Sequence, residues 1–176
     1  MLSHPKLNQM LAHQLVLCLE EVDIGMVDWV VGSDHGAATF SYEVARQLSL
    51  RHDYDVRHDF AERDLYDPHG KRMQWKRHEI FPSEIILQVE ELITTRFTLE
   101  EVRRAIKEGN PNSVLFHEKK GTIVLRPSRL SGEYDDIVAL VRLEIQKWDQ
   151  KDCPLCNQGS RRISSPKKNW KELIGS

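Results

Sequence analysis

The 176-residue sequence has only three cysteines, no long apolar run and almost no net charge. Because the number of cysteines is odd, a disulfide framework is disfavoured and a reducing compartment is favoured, so we expect a cytoplasmic protein. No stretch approaches the ~20 apolar residues of a membrane helix, and the first residues lack the basic-then-apolar order of a signal peptide. A formal charge of −2 gives no overall attraction to nucleic acid. We therefore expect neither a membrane nor a nucleic-acid partner.

The composition is that of a globular protein, with 40% hydrophobic and 30% charged residues. Strand-like and helix-like patterns alternate, which predicts an α/β fold: a mostly parallel central sheet with helices on both faces. The predicted helices cover 3–21 (capped by Ser3), 39–48 and 98–108; the predicted strands cover 27–32, 85–89, 113–116 and 122–125, with a turn at Gly121. Residues 135–148 fit either a strand or a short helix. The polar segment 50–82 predicts a small flanking hairpin that contains Met73, Trp75 and Ile80-Phe81.

The segment 85–98 is the strongest candidate for function. An apolar run leads into two carboxylates, Glu90 and Glu91, then into a hydroxyl-rich turn and a helix start. Thr98 and Glu101 have the spacing of a capping box. Such a turn directs backbone N–H groups and the positive end of a helix dipole at an anion, usually a phosphate. The acidic pair suits ribose hydroxyls or a hard cation, although an ordinary turn with a solvated acidic pair has the same pattern.

A second candidate anion site follows the predicted strand 27–32. The chain there contains Ser33-Asp34-His35-Gly36, and a turn with glycine between strand and helix is typical of phosphate sites. Asp34 repels a diphosphate unless Mg²⁺ or His35 offsets its charge. The alternative is a plain strand–helix connection in which His35 caps the helix or faces solvent.

The first of these segments resembles the ribose-phosphate signature of the type I phosphoribosyltransferases. That signature is an apolar strand, two acids, two apolar residues and Thr-Thr-Gly-Gly-Thr/Ser; this sequence has Glu90-Glu91-Leu92-Ile93-Thr94-Thr95-Arg96-Phe97-Thr98. The acids, both threonines and the closing hydroxyl match. Glu91 replaces the usual aspartate, and Arg96-Phe97 replaces the glycine pair that lets the family's loop wrap a 5′-phosphate closely. The helix after Gly36 is also similar, through its Tyr-Glu-Val-Ala-Arg run.

Three further segments resemble the bacterial orotate phosphoribosyltransferases in particular. Phe60-Ala61-Glu62-Arg63 stands where these enzymes have Phe-x-Glu-Lys. Arg126 stands where the arginine of an Asp-Arg-Ser triplet meets orotate, with Leu125 in place of the aspartate. The segment Cys153-Pro154-Leu155-Cys156 is similar to their C-terminal Cys-Pro-Leu-Cys-x-x-Gly tail. We therefore expect a relative of these enzymes whose ribose-phosphate loop has diverged.

The resemblance implies transfer of 5-phosphoribosyl from 5-phosphoribosyl 1-diphosphate to a pyrimidine base, orotate, with release of pyrophosphate. The ribose hydroxyls would be held by Glu90 and Glu91, and the 5′-phosphate by Thr94, Thr95, Arg96 and Thr98. The diphosphate would be held by Ser33, Asp34, His35 and Gly36, and the base by Arg126. Departing pyrophosphate would be stabilised by a basic strip composed of Arg63, Lys71, Arg72, Lys76 and Arg77. Mg²⁺ would arrive with the diphosphate, with Glu90 and Glu91 as its only candidate protein contacts.

The resemblance also implies a homodimer and a single phosphoribosyltransferase-like domain over 1–176. Its hood would comprise 1–22 and 50–82, its core 23–148 and its tail 149–176. A non-catalytic protein on the same fold that binds a nucleotide or 5-phosphoribosyl 1-diphosphate is the alternative, favoured by the missing glycines. If the turn still binds phosphate, the Arg96 guanidinium would supply charge-assisted hydrogen bonds and Phe97 would turn into the core.

The two cysteines of the tail, Cys153 and Cys156, have two chemical interpretations. They are half of a zinc site, but structural zinc takes four ligands and Cys18 is far away in sequence. A redox Cys-x-x-Cys normally begins a helix, and Pro154 with the polar tail argues against a helix here. We expect neither stoichiometric zinc nor an obligatory disulfide.

Overall fold

The computed structural model describes residues 4–34, 36–160 and 169–170. Its helices are α1 (Pro5–Glu21), α2 (Gly36–His52), α3 (Phe97–Gly109) and α4 (Pro154–Asn157). Its strands are β1 (Trp29–Ser33), β2 (Arg57–Arg63), β3 (Met73–Gln74), β4 (Ile85–Ile93), β5 (Leu115–Leu125) and β6 (Ile137–Arg142). The chain divides into two units, residues 1–145 and 146–176; the sheet belongs to the first and α4 to the second.

The six strands form one sheet in the order β3-β2-β1-β4-β5-β6. Five neighbouring strands, β2, β1, β4, β5 and β6, run parallel to one another. The edge strand β3 is antiparallel to its neighbour β2. This confirms the predicted α/β fold with a mostly parallel sheet. Because the carboxyl ends of parallel strands share one edge, the turns after β1, β2, β4 and β5 all leave from the same side.

Helices cover both faces of this sheet. Side chains alternate along a strand, so neighbouring residues face opposite sides. Val30 and Leu87 lie in a buried cluster with residues of α1 and α2, whereas Val31 and Ile86 lie in a second cluster with residues of α3. The helix α1, which the sequence analysis assigned to the hood, is therefore a layer of the core.

The strand β2 corrects the prediction for the segment 50–82. Residues 57–63 pair with β1 inside the sheet, where a flanking hairpin and part of the hood had been expected. The sequence RHDFAER conceals this strand because its polar side chains have partners, including a 2.7 Å contact from Asp59 to His78 Nδ1. Only the two residues of β3 pair antiparallel with the end of β2.

The strand β5 runs without a turn through Gly121, so the prediction of two strands joined there is wrong. A Cβ atom at residue 121 would lie 2.8 Å from Leu15 Cδ2, so this glycine lets α1 approach the sheet closely. Further along the chain, β6 shows that the undecided stretch 135–148 contains a strand.

The helix starts also differ from the predictions. The helix α3 begins at Phe97 with Arg96 as its N-cap, so Thr98 is not the cap. Glu101 accepts hydrogen bonds from Arg104 instead of closing a capping box. The helix α1 begins after His4, and the predicted cap Ser3 lies outside the described residues. No helix among the described residues has the length and apolar character to cross a bilayer.

Candidate active site

Glu90 lies inside β4, because this strand continues beyond the apolar run to Ile93. The Glu90 side chain is buried, with 5% of the residue exposed. Its carboxyl accepts two hydrogen bonds from Ser33, one from the backbone N–H (3.1 Å) and one from the Oγ hydroxyl (2.8 Å). Glu90 thus joins the middle strand β4 to the end of β1, directly before the turn predicted to hold a diphosphate.

Burial raises the pKa of Glu90 to about 7, although both hydrogen bonds from Ser33 act in the opposite direction. The nearby charges of Glu91 and Asp34 raise this pKa further. A carboxyl with a pKa near 7 gains and loses a proton easily at physiological pH. Glu90 is therefore the described residue of this edge best suited to change its charge when a ligand binds.

Glu91 points to the opposite face of β4 and is exposed. Its carboxylate lies against Gly36, the first residue of α2, so closely that a Cβ atom there would overlap it. The positive end of the α2 dipole attracts a negative group to this position. The carboxylate of Glu91 thus occupies space beside the turn that the sequence analysis assigned to the diphosphate.

A basic side chain at the end of β2 contacts the turn after β1. Arg63, the last residue of that strand, places Nε 3.4 Å from an Asp34 carboxylate oxygen. Arg63 also donates to the carbonyl of Gly70, at 2.9 Å, in the connection between β2 and β3. This arginine therefore lies where it partly offsets the acidic residue of the turn. The remaining member of the predicted group, His35, is outside the described residues.

The turn after β4 contains Thr94 and Thr95, but its arginine is already engaged. Both terminal nitrogens of Arg96 donate to the Asp136 carboxylate at 2.7 Å, and one also donates to the Glu133 carbonyl at 2.6 Å. The hydrogen bonds from Arg96, together with Lys120 Nζ at 2.7 Å, hold the pKa of Asp136 well below its usual range. Arg96 therefore fastens the turn to the segment before β6, and its guanidinium is not directed at a ligand.

Phe97 does not enter the core as expected, since 47% of it is exposed. Its ring lines an open cavity of about 650 Å³ between α3 and the β2–β3 connection, and Lys71 Nζ lies 5.9 Å from the ring centroid. The remaining lining residues are charged or polar: Asp67, His69, Arg72, Glu101, Arg104 and Glu108. Phe97 is thus a wall of this cavity rather than a support for the sheet.

The predicted basic strip does not act as a unit. Arg72 pairs with Glu108 at 3.3 Å, and Arg77 pairs with Glu62. Within the part of the chain that the structure describes, Lys71 and Lys76 have no ion pair. Arg63 therefore lies beside the turn after β1 through its contact with Asp34, whereas Lys71 and Lys76 keep their charge available for an anion. On the other side, Arg126 follows β5, and its backbone N–H donates to the Ile93 carbonyl at 2.7 Å.

The structure brings together one part of the predicted site and separates another. Around the ends of β1, β2 and β4 it groups six residues: Ser33, Asp34, Gly36, Arg63, Glu90 and Glu91. Arg96 and Arg72 are held by other carboxylates. Asp136 was not among the predicted site residues, because it lies in an acidic loop whose sequence resembles a solvated connection. A strand start directly after it was the only available signal.

The sequence relatives of this chain include several orotate phosphoribosyltransferases. An orotate phosphoribosyltransferase of Caldicellulosiruptor bescii is 30% identical over 161 residues, which cover 90% of this chain and 74% of the relative. The enzymes of the same name from Desulforamulus reducens and Thermotoga maritima are each 31% identical over 158 residues, covering 90% and 88% of this chain and 74% of each relative. No model of a protein family matches the sequence.

Solved structures with a similar fold include phosphoribosyltransferases of other substrates. The adenine phosphoribosyltransferase of Thermoanaerobacter pseudethanolicus superposes with a TM-score of 0.57 at 13% identity, over 81% of this chain and 83% of that one. The purine phosphoribosyltransferase of Pyrococcus horikoshii gives a TM-score of 0.53 at 16% identity, over 79% and 84%. At such low identity these structures establish the fold alone.

Proposed function

Because the chain belongs to the orotate phosphoribosyltransferase family, we propose that it transfers the 5-phosphoribosyl group of 5-phosphoribosyl 1-diphosphate to orotate and releases pyrophosphate. The observation that carries the proposal is the grouping of Glu90, Glu91 and Ser33 with the start of α2 at the carboxyl edge of the sheet. Ligands of parallel α/β sheets bind at this edge. The reaction places the protein in UMP synthesis, a part of pyrimidine nucleotide biosynthesis.

The acidic pair serves the ribose. As the bond between C1 and the diphosphate oxygen loosens, positive charge develops on the ribosyl ring, and carboxylates that hold the 2′- and 3′-hydroxyls stabilise it. Glu91 is exposed and available to a hydroxyl. Glu90 accepts two hydrogen bonds from Ser33 and reaches a ribose hydroxyl with its remaining acceptor positions.

The phosphates take the two turns on either side of these acids. The 5′-phosphate binds the hydroxyls of Thr94, Thr95 and Thr98 and the N-terminus of α3, while Arg96 positions that turn through Asp136. The diphosphate binds the turn of Ser33–Gly36, with Arg63 and Lys71 as its cations. Arg72, directly before β3, and Lys76, directly after the Trp75 that follows β3, contribute charge only.

Magnesium fits this edge as a companion of the diphosphate. No cluster of three or more His, Cys, Asp or Glu side chains suited to a metal occurs among residues 4–34, 36–160 and 169–170. Mg²⁺ commonly needs only one or two protein carboxylates when it also binds substrate phosphates. The exposed carboxylate of Glu91 can supply one of them, and Glu90, on the other face of the same strand end, is the second candidate. The ion would neutralise part of the charge of the leaving pyrophosphate.

Three further features of the proposal concern the base, the assembly and the compartment. Arg126 is placed beside the end of β4 and would pair with the carboxylate of orotate. Leu65 and Tyr66, in the β2–β3 connection, are 90% and 94% exposed, which favours contact with a second copy in a homodimer. None of the three cysteines, all of which lie among the described residues, is part of a disulfide, which suits the reducing cytoplasm.

A non-catalytic protein that binds 5-phosphoribosyl 1-diphosphate or a nucleotide is the second candidate. It is favoured by the position of the Glu91 carboxylate on Gly36 and by the engagement of Arg96, because both leave the phosphate turns weaker than a catalytic site needs. Such a protein would bind the donor without releasing pyrophosphate.

Release of pyrophosphate distinguishes the two candidates. The full chain is incubated with 5-phosphoribosyl 1-diphosphate, Mg²⁺ and one base at a time: orotate, uracil, adenine, hypoxanthine or guanine. We expect release with orotate and formation of the corresponding nucleotide. Binding of the donor by calorimetry without release with any base would establish the second candidate, and release with a purine alone would move the proposal to another substrate.

A further inference from the structure

The second unit of the chain, residues 146–176, holds two thiols in contact. Cys153 is the N-cap of α4, and its Sγ accepts the backbone N–H of Cys156 at 3.4 Å. The Cys156 side chain also forms a hydrogen bond with the Cys153 thiol. Both cysteines are partly exposed. The two sulfur atoms are thus neighbours that solvent can reach.

The local backbone explains why the thiols meet. Pro154 is the first helical residue, a position at which its missing N–H is no loss, so the proline starts the helix that the sequence analysis took it to oppose. After α4 the chain turns at Gly159, which has a φ of 83° and whose N–H donates to the Cys156 carbonyl at 3.0 Å. The turn fixes Cys156 one helical turn from Cys153 and faces it toward the same side.

The hydrogen bonds make the two cysteines chemically different. The backbone N–H of Cys156, followed by the hydrogen bond from its side chain, lowers the pKa of the Cys153 thiol. A thiolate, rather than a thiol, is the nucleophile in exchange with disulfides. Cys153 is therefore arranged to react first, and Cys156 is placed to attack the product.

We propose that Cys153 and Cys156 form a thiol–disulfide exchange site that reacts with low-molecular-weight disulfides of the glutathione class. The Cys153 thiolate attacks one sulfur of the small disulfide, whose S–S bond breaks and releases one thiolate. The Cys156 thiol then loses its proton and attacks Cys153 Sγ, which releases the second small thiolate and leaves an intrachain disulfide. Overall, two protein thiols are oxidised and one small disulfide is reduced to two thiols. Both cysteines are partly exposed, so small thiols reach the bond and reduce it by the reverse exchange.

A zinc site is the competing use of the same sulfur atoms. Structural zinc takes four ligands, and among the described residues no group of three or more His, Cys, Asp or Glu side chains is arranged to hold a metal ion. Exchange chemistry needs only the two thiols that are in contact. The observations therefore favour a reversible disulfide, which also agrees with the expectation that no disulfide is obligatory.

Alkylation in defined redox buffers tests the site. The full chain is equilibrated with mixtures of reduced and oxidised glutathione, quenched with iodoacetamide and analysed by mass spectrometry after proteolysis. We expect the peptide with both cysteines to lose its two alkylated thiols as the buffer becomes more oxidising, and to regain both on reduction. In Cys156→Ser, Cys153 should accumulate as a mixed disulfide with glutathione. The matched variant Cys18→Ser should behave as the wild type does.

Three results would overturn the proposal. The first is full alkylation of both tail cysteines at every buffer ratio. The second is a Cys156→Ser protein in which Cys18, rather than Cys153, carries the glutathione. The third is tightly held zinc that shields the pair from iodoacetamide until a chelator is added. None of these readouts uses transferase activity, so the outcome is independent of the proposed function.

Discussion

The turns after β1 and β4 leave the same edge of the sheet, but their charged side chains differ in sign. The turn after β1 is surrounded by carboxyl groups: Asp34 within it, Glu91 against Gly36, and Glu90 bound to Ser33. The turn after β4 carries a cation, Arg96, which Asp136 has already bound. Counting charges in the sequence would make the second turn the better anion site. In the structure the Arg96 charge is already paired with Asp136, so the groups left to bind a phosphate are backbone N–H groups and threonine hydroxyls.

The largest effect should come from neutralising the acids shared by both turns. In Glu90→Gln/Glu91→Gln, the carboxylates beside the developing positive charge of the ribosyl ring are lost, and turnover should fall by about 100-fold or more. The fold should persist, because glutamine retains hydrogen-bonding groups toward Ser33. Pyrophosphate release measures the effect, and circular dichroism measures the fold. Unfolding of the variant, or donor binding and turnover equal to the wild type, would contradict the assignment of these residues to ribose.

Glu90 alone should change how stability depends on pH. Its folded pKa of about 7 lies above the ordinary value of 4.5, so its protonated form stabilises the fold. That stabilisation is complete below pH ~4.5 and is lost as the pH rises through 7. Glu90→Gln cannot ionise, so relative to the wild type it should gain about 3 kcal/mol of unfolding free energy over this range.

Urea unfolding at pH 4.5, 6 and 8 measures this difference. Glu118→Gln, which replaces an exposed glutamate on β5, is the matched control for the loss of one carboxyl. A stability difference between Glu90→Gln and the wild type that stays constant with pH would mean that Glu90 is solvated and not held by Ser33.

Substitution of Arg96 in the turn after β4 should change the free energy of unfolding more than the affinity for the donor. Arg96→Gly removes three hydrogen bonds to Asp136 and Glu133 and should lower the free energy of unfolding by about 1–3 kcal/mol. Affinity for the phosphoribosyl donor should fall only slightly, because Arg96 positions the turn through Asp136 and does not itself contact the phosphate. This reverses the expectation from sequence that Arg96 binds phosphate. Calorimetric titration with the donor decides between the two, because weaker binding at unchanged stability would restore Arg96 as a ligand.

Asp136→Asn gives the matched test from the other side of this ion pair. The pKa of Asp136 is depressed, so its contribution to stability is present above its ordinary pKa and is lost as the pH falls toward the depressed value. The deficit of Asp136→Asn relative to the wild type should therefore shrink in acid. In the double variant Arg96→Gly/Asp136→Asn the two losses should not add, since both remove one interaction.

The fold was predictable where apolar runs matched single strands, and it was not where polar residues had hidden partners. Alternating strands and helices were sufficient for the α/β sheet. The strand β2 was not predicted, because Asp59 and Glu62 are typical of solvated loops. In the structure Asp59 contacts His78 and Glu62 contacts Arg77. Gly121 was taken for a turn, although it is a point of close approach for Leu15. Such pairings depend on residues distant in sequence, which periodicity does not report.

The sequence was sufficient to name several residues of the candidate site, but it was less informative about which residues those side chains contact. The sequence identified Glu90, Glu91 and Ser33 by their order along two strand–turn segments, and the structure brings them together. It could not indicate that Asp136 binds Arg96 or that Phe97 faces a cavity, because both depend on the path of the chain before β6 and around β2. In the tail, a helix was missed: Pro154 was taken as evidence against a helix, although it is the first residue of α4, a position that favours proline.

The smallest effect should come from shortening Glu91. In Glu91→Asp the side chain loses one methylene and its carboxylate withdraws from Gly36, which opens the start of α2 to the diphosphate. Removing this repulsion should tighten donor binding by about 2–5-fold, the range expected for an exposed charge interaction of roughly 0.5–1 kcal/mol. Titration with the donor in the presence of Mg²⁺ measures the change.

Gly36→Ala supplies the control, because its Cβ atom would overlap the Glu91 carboxylate. This substitution should displace Glu91 or destabilise the protein when Glu91 is present, and it should be tolerated in the Glu91→Asp background. That rescue would demonstrate the contact between the two residues independently of any ligand. If Glu91→Asp instead weakens donor binding while the rescue holds, the longer carboxylate contacts the ribose or its magnesium ion. The contact of Glu91 with the donor would then outweigh its repulsion of the diphosphate.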